Sequence, residues 1–171
     1  METAQNTAQK ITPFLWFNNN AEEAIQFYTT VFKNSRVKSK VYNGEDDMGA
    51  KGTLMTAEFE LNGQEFIALN GGPMFSFTPA ISFVISCGNQ EEIDHYWYSL
   101  SEGGREDRCG WLQDKFGVSW QVVPKQMANL MSSQNAEQRS RVVQAMLKMK
   151  KLDIALLQQA YDGVATPSEV A

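Results

Sequence analysis

The chain has 171 residues, of which 43% are hydrophobic and 11% aromatic, enough for one folded domain with a core and a small appendage. A net charge of −5 argues against nucleic acid or an anionic membrane as partner. No run approaches the roughly 18 apolar residues of a bilayer span, and the polar N-terminus carries no signal-peptide core, so a cytoplasmic protein is expected.

Met1 to Lys10 reads as a loose tail. Ile11–Phe17 is strand-like, and Asn18-Asn19-Asn20 supplies turn residues and a helix cap. Ala21, Ala24, Ile25, Tyr28, Val31 and Phe32 recur at helical spacing, with Glu22 and Glu23 in the first turn, where the helix dipole favours acids. Arg36–Tyr42 reads as a strand and Asn43–Gly52 as an acidic loop. Thr53–Leu61 and Gln64–Leu69 form a hairpin around Asn62-Gly63, and Asn70-Gly71-Gly72-Pro73 breaks it.

A second, similar unit begins at Ala80. Its strand runs to Cys87, Gly88-Asn89 turns, and Ile93, Tyr96, Trp97 and Leu100 form a helical stripe that Gly103-Gly104 ends. Phe14, Asn20 and Phe27 recur as Phe83, Asn89 and Tyr96, each 69 residues on. Cys109–Asp114 and Val118–Val123 then form a hairpin around Lys115-Phe116-Gly117. The chain between helix and hairpin is short, so the middle strand of this unit is expected to be truncated or missing.

Pro124 ends the sheet pattern and helices follow. Lys125–Met131 makes the first. Asn135 with Gln138 forms a capping box for the second, which carries Val142, Val143, Met146 and Leu147. Asp153 caps a third, with Ile154, Leu157 and Tyr161. Lys125, Arg139, Arg141, Lys148, Lys150 and Lys151 give this region a basic, solvated face. The expected organisation is a tail over 1–10, a domain over 11–124 (modules 11–73 and 80–124), helices over 125–162 and a loose end over 163–171.

Ile11-Thr12-Pro13-Phe14-Leu15-Trp16-Phe17, Ala21-Glu22-Glu23-Ala24, Phe66-Ile67-Ala68-Leu69-Asn70-Gly71-Gly72-Pro73, Cys109-Gly110-Trp111-Leu112 and Gly117-Val118-Ser119-Trp120-Gln121-Val122-Val123-Pro124 together resemble the PhnB-like branch of the vicinal oxygen chelate (glyoxalase/bleomycin resistance) superfamily. The likeness runs from about Ile11 to Ala160, including the helical Ala145–Lys151. It implies an α+β fold of paired βαβββ modules forming a cup-shaped mixed sheet, followed here by a C-terminal helical extension, usually in a homodimer. The branch is sometimes labelled a demethylubiquinone methyltransferase. A methyl-donor or dinucleotide site needs a glycine-rich turn from strand into helix. Gly71-Gly72 leads into Pro73 and Gly103-Gly104 follows a helix, so that chemistry is not expected.

Metal-using members hold a divalent ion with His and Glu from the cup strands. Here the strand starts read Thr12-Pro13 and Ala80-Ile81, the position on the last strand resembling a ligand carboxylate is Gln121, and the matching strand of module one offers Ile67-Ala68-Leu69. His95 lies inside a helix, opposite the Ile93/Trp97/Leu100 stripe. No metal and no cofactor are therefore expected. Cys87 and Cys109 match no zinc spacing and read as reduced thiols, and Glu45-Asp46-Asp47 lacks calcium-loop spacing.

The candidate ligand-binding residues are Trp16, Glu58, Asn70, Cys109, Trp111, Lys115 and Gln121. Trp16, Trp111 and Trp120 lie on or beside the cup strands, where aromatics serve as core or as pocket walls. Gln121, Asn70 and Lys115 are candidate polar groups, and Glu58 a candidate carboxylate. Cys109 would be a nucleophile only if Arg108 or Lys115 lowered its pKa; a structural thiol is the expectation. Trp120 and Gln121 must face opposite ways along their strand, and the resemblance places Gln121 inside the cup. The leading reading is a metal-independent small-molecule-binding homodimer, its ligand in the cup between modules or subunits. The alternative is a metal-dependent lyase, isomerase or dioxygenase with a non-standard site.

Overall fold

A computed structural model describes residues 10–47 and 49–164. The expected terminal tails fall outside the described residues, apart from Lys10, Gly163 and Val164. The chain divides into two compact units between Ser76 and Phe77, the second including the C-terminal helices.

The first unit runs β1 (Phe14–Phe17), α1 (Ala21–Val31), β2 (Ser35–Tyr42), β3 (Leu54–Leu61) and β4 (Gln64–Asn70). Its sheet has the order β1-β4-β3-β2, with β1 parallel to β4 and the other pairs antiparallel. Alternation sends Leu15 and Phe17, Phe66 and Ala68, and Ala57, Phe59 and Leu61 to one buried face. Leu54 joins them because the pairing skips Met55 between Val41 and Tyr42, a bulge that restores the phase. On this face the Tyr28 ring of α1 stacks on Phe59 at 6.4 Å and Phe59 on Phe66 at 5.3 Å. Asn62 and Gly63 both have positive φ, 49° and 83°, as a two-residue hairpin turn matched to strand twist requires.

Two boundaries differ from expectation. The first strand starts at Phe14 rather than Ile11: Pro13 has no amide to add to the ladder, and its carbonyl accepts from Ile67 N at 3.0 Å. Asn20 precedes α1 but makes no side-chain cap bond. The amide of Ala21 donates instead to Asn70 Oδ1 at 2.9 Å, so the cap comes from the end of β4.

The second unit runs β5 (Phe83–Cys87), α2 (Gln90–Ser101), β6 (Arg105–Glu106), β7 (Trp111–Gln113), β8 (Ser119–Pro124), α3 (Met127–Met131), α4 (Ala136–Lys148) and α5 (Ile154–Asp162). The strand order is β5-β8-β7-β6, the same topology as the first sheet. The middle strand survives as the two residues of β6. Asn89 caps α2 by accepting from Glu92 N at 2.9 Å, and Ile93, Trp97 and Leu100 are buried while His95 is exposed. The fold is therefore α+β, two βαβββ modules with C-terminal helices.

In this unit too the edges shift. The strand begins at Phe83, not Ala80, and Pro124 closes β8 rather than breaking it, paired with Cys87 at a strand end. The next helix starts at Met127, not Lys125. Asn135 accepts from Glu137 N and Gln138 N, but Gln138 turns to Ser133 Oγ, so the box is half made. Asp153 caps α5 through Leu156 N at 3.0 Å. Leu130, Val142, Leu152 and Leu157 form the extension's core, while Leu147 is exposed. Among the described residues no helix is long and apolar enough to cross a membrane.

The internal repeat needs one correction. Ile25 and Asp94, Tyr28 and Trp97, and Val31 and Leu100 keep the 69-residue offset through the helices. The strands do not: buried Leu15 and Phe17 answer buried Ile85 and Cys87, 70 residues on. Three residues join β1 to α1 and two join β5 to α2, and the missing residue shifts the strand by one. A shift of one exchanges the faces. The counterpart of Trp16 is therefore Ser86, and that of Phe14 is Val84.

Candidate functional site

Each sheet has one face under its helix and one face turned away. In the first, the paired row Lys40, Ala57, Ala68 and Leu15 lies on the helix side, since Lys40 bonds Glu22 of α1 at 2.7 Å. The open face holds the alternate rows, Phe14–Ile67–Glu58 and Trp16–Leu69–Thr56. Trp16 is half-buried, donates from Nε1 to Gly72 O at 2.9 Å, and meets Phe75 edge-on at 5.0 Å. A Cβ on Gly71 would lie 2.2 Å from the indole, so the backbone there packs flat against the ring. Glu58 is exposed on the same face. Its charge, after the hydrogen bond from Lys38 to Glu65, helps hold the Lys38 ammonium above its ordinary value.

Asn70 does not belong to this face. It accepts from Ala21 N through Oδ1 and donates from Nδ2 to Leu54 O at 3.0 Å, which ties α1 to the two central strands. Each end of the amide makes one such bond, so Asn70 acts as an internal clamp.

In the second sheet, Trp97 of α2 donates to Glu106 Oε1 at 3.0 Å, which marks the row Glu106–Leu112–Trp120–Phe83 as the helix side. Trp120 is 3% exposed there and donates from Nε1 to Asp114 Oδ2 at 2.8 Å. Asp114, itself 2% exposed, also accepts from Phe116 N and Val118 N, a buried turn carboxylate that pattern reading missed.

The open face carries the row Val84–Gln121–Trp111, with Gln121 and Trp111 half-buried. Gln121 donates from Nε2 to Ser82 Oγ at 2.8 Å. The strand-start residue that meets Gln121 is thus Ser82, not Ala80-Ile81. Trp111 and Gln121 are brought together; Lys115 and Cys109 are placed elsewhere. Lys115 is exposed in the β7–β8 turn, its Nζ 5.0 Å from the Phe116 ring centre. Cys109 holds a left-handed backbone, φ 60°, and donates its amide to Met149 O at 2.9 Å. Both cysteines are free. The Cys87 thiol is pushed up to about 12, first by burial and then by the charge of Glu92, so it stays protonated and unreactive.

Among the described residues no group of three or more His, Cys, Asp or Glu could hold a metal ion. The polar pair at this open face, Ser82 just before β5 and Gln121 on β8, is a hydroxyl and a carboxamide, both neutral, and their mutual hydrogen bond competes with any ion. A divalent cation needs charged or imidazole donors converging on it. This donor set does not fit the superfamily's metal.

Residues 9–123 match the family model described as 3-demethylubiquinone-9 3-methyltransferase. The match ends at the last strand, well short of the expected Ala160, and leaves the helical extension outside it. The PhnB protein of Bacillus cereus is 41% identical over 68% of this chain and 99% of its own, with a TM-score of 0.64. The PA1353 protein of Pseudomonas aeruginosa is 20% identical over 69% of this chain and 98% of its own, TM-score 0.59. The fosfomycin resistance protein FosX of Listeria monocytogenes is 13% identical over 74% and 99%, TM-score 0.54. These last two show the fold alone. No curated protein matches the chain. On the strength of the family match and the Bacillus relative, the chain belongs to the 3-demethylubiquinone-9 3-methyltransferase family, the PhnB-like branch of the vicinal oxygen chelate superfamily.

Proposed function

We propose that this protein is a metal-independent small-molecule-binding protein of the glyoxalase/bleomycin-resistance type, its ligand lying on the open sheet faces. The observation that carries the reading is the Gln121–Ser82 pair beside Trp111 and Val84. Binding sites are mostly apolar with a few placed polar groups. With one bond between them, the carboxamide and hydroxyl keep a spare acceptor and a spare donor side by side. Such a pair complements a neutral ligand that itself joins an acceptor to a donor, as a carboxamide does, with a flat apolar body against the indole. Neither group titrates, so binding is independent of pH near neutrality. Methyl transfer has no support in these residues: Gly71-Gly72 precedes no helix, and α1 follows an asparagine turn.

The protein is further proposed to be a cytoplasmic homodimer. The edge strand β2 supports pairing, since Val37, Val41 and Tyr42 are all exposed along it. Light scattering at micromolar concentration should give twice the chain mass; a monomer refutes this part.

Thermal-shift measurement with benzamide, benzoate and benzylamine tests the ligand class. Benzamide should raise the melting temperature of the wild type and not of Gln121→Leu. Equal stabilisation by all three probes, or none by any member of a wider metabolite library, contradicts the reading. Elemental analysis of protein purified without chelator should find no stoichiometric zinc, nickel, iron or manganese.

A further inference from the structure

The helical extension, which lies beyond the family match, is bonded to the second sheet just before β7. The amides of Cys109 and Gly110 donate to Met149 O at 2.9 Å and Lys150 O at 2.8 Å. These are the residues just before β7, and Gly110 O in turn accepts from Val122 N of β8 at 2.8 Å. Gly110 has φ 82°, and a Cβ there would lie 2.7 Å from Val122 O and 3.1 Å from the Leu152 side chain. Leu152 is wholly buried, so it fills the space that the glycine leaves.

The same segment is held from the side of α2. Gln90 donates to Leu152 O at 3.2 Å and accepts from Ile154 N at 3.0 Å, and Lys151 bonds Asp94 at 2.5 Å and Tyr98 at 3.0 Å. Val123, next along the open face of β8 from Gln121, packs on the Leu130–Val142–Leu152–Leu157 cluster. Two successive left-handed residues, Cys109 and Gly110, thus lead into β7; Trp111 N closes their turn on Arg108 O at 3.1 Å, and both of their own amides are given to the extension.

We propose that Met149–Leu152 is a positioning segment for the candidate ligand face: it holds Cys109-Gly110 in their left-handed turn and thereby sets Trp111 against Gln121. β7 has three residues and its outer neighbour β6 two, so the short strand lacks the ladder that fixes β3 in the first sheet. The extension supplies the missing constraint. This rests on the reading of the open face as the binding face, but the placement of Trp111 is measurable without any ligand.

The test compares wild type, Leu152→Ala, Leu152→Ile and Lys151→Ala by heteronuclear NMR and amide exchange. In Leu152→Ala the Cys109 and Gly110 amides should exchange at least about tenfold faster, as for a locally opened segment. The Trp111 indole and Gln121 carboxamide resonances should move together, while Phe59 and Ala68 amides of the first unit hold. Leu152→Ile should restore most of the wild-type pattern and Lys151→Ala should give the same changes in smaller degree. Unchanged Trp111 and Gln121 resonances alongside faster exchange at Cys109 and Gly110 overturn the proposal, and so does wild-type exchange in both variants that remove a contact. Should Leu152→Ala lose its fold, Lys151→Ala decides alone. Benzamide titration of the same samples separates the two readings: moved resonances with no benzamide binding even in the wild type sink the ligand class and leave the positioning role standing.

Discussion

The two sheets reach the same strand order with different amounts of chain. β3 runs eight residues and is paired along both sides, to β2 and to β4; its counterpart β7 runs three and has a two-residue outer neighbour. The first sheet is self-sufficient, with the stacked Tyr28, Phe59 and Phe66 at its centre. The second makes up its deficit with point contacts: Trp97 to Glu106, the Asp114 turn, and the extension's bonds to Cys109 and Gly110. A long ladder spreads its stability over many residues, whereas a short one concentrates it in a few. The second unit should therefore contain the more damaging single substitutions.

The largest expected effect is at Trp97, 1% exposed, where truncation to Ala should cost about 3–5 kcal/mol. His95→Ala on the exposed side of the same helix should stay within about 0.5 kcal/mol. Similar urea midpoints for the two variants would show the helix face misassigned. Next comes Asp114→Ala, which strands two amides and the Trp120 indole and should cost about 3 kcal/mol. Asp114→Asn keeps one acceptor in place and should cost visibly less in the same melts.

In the first unit the sharpest single site is Gly71. Its added methyl would meet the Trp16 ring, so Gly71→Ala should cost about 2 kcal/mol, as overpacking does, and shift the Trp16 emission. A neutral Gly71→Ala would mean that the 71–76 segment yields freely.

The smallest effect is electrostatic. The hydrogen bond from Lys151, then that from Gln90, holds the Asp94 carboxyl below its ordinary 3.8. A depressed folded-state value adds stability that is present above the ordinary value and is lost as pH falls through the folded one. The stability difference between wild type and Lys151→Met should thus be constant near neutrality and shrink below about pH 4, where Asp94 protonates. Because the pair is partly exposed, salt should also weaken it. A difference that grows in acid contradicts the assignment.

Much of this architecture is written in local pattern. Helical spacing from Ala21 to Val31 and from Ile93 to Leu100 marks the buried stripes, Asn62-Gly63 marks its hairpin, and the short run between Leu100 and Gly117 leaves room for little more than β6. What pattern could not show depends on partners distant in sequence. Asn70 is a turn residue by type, yet its two bonds, to Ala21 and Leu54, make it a clamp. Ser82 becomes notable only because β5 and β8 pair in a register that brings it to Gln121. The one-residue difference between the two strand–helix turns was hidden because the helices, with more matching residues, kept the offset. The apolar runs Phe14–Phe17 and Phe83–Ile85 lack the alternation that would have shown the strand faces.

The central claim is that the open face of β8 receives a neutral ligand through Gln121, Ser82 and Trp111 without a metal. Its most direct test is an NMR titration of the chelator-treated protein with benzamide, followed by addition of zinc. The account predicts that the Gln121 carboxamide and Trp111 indole resonances move with benzamide before zinc is added, and that zinc changes neither. Shifts that appear only after zinc, or that fall on Trp97 of α2 and Trp120 beneath it, would contradict it.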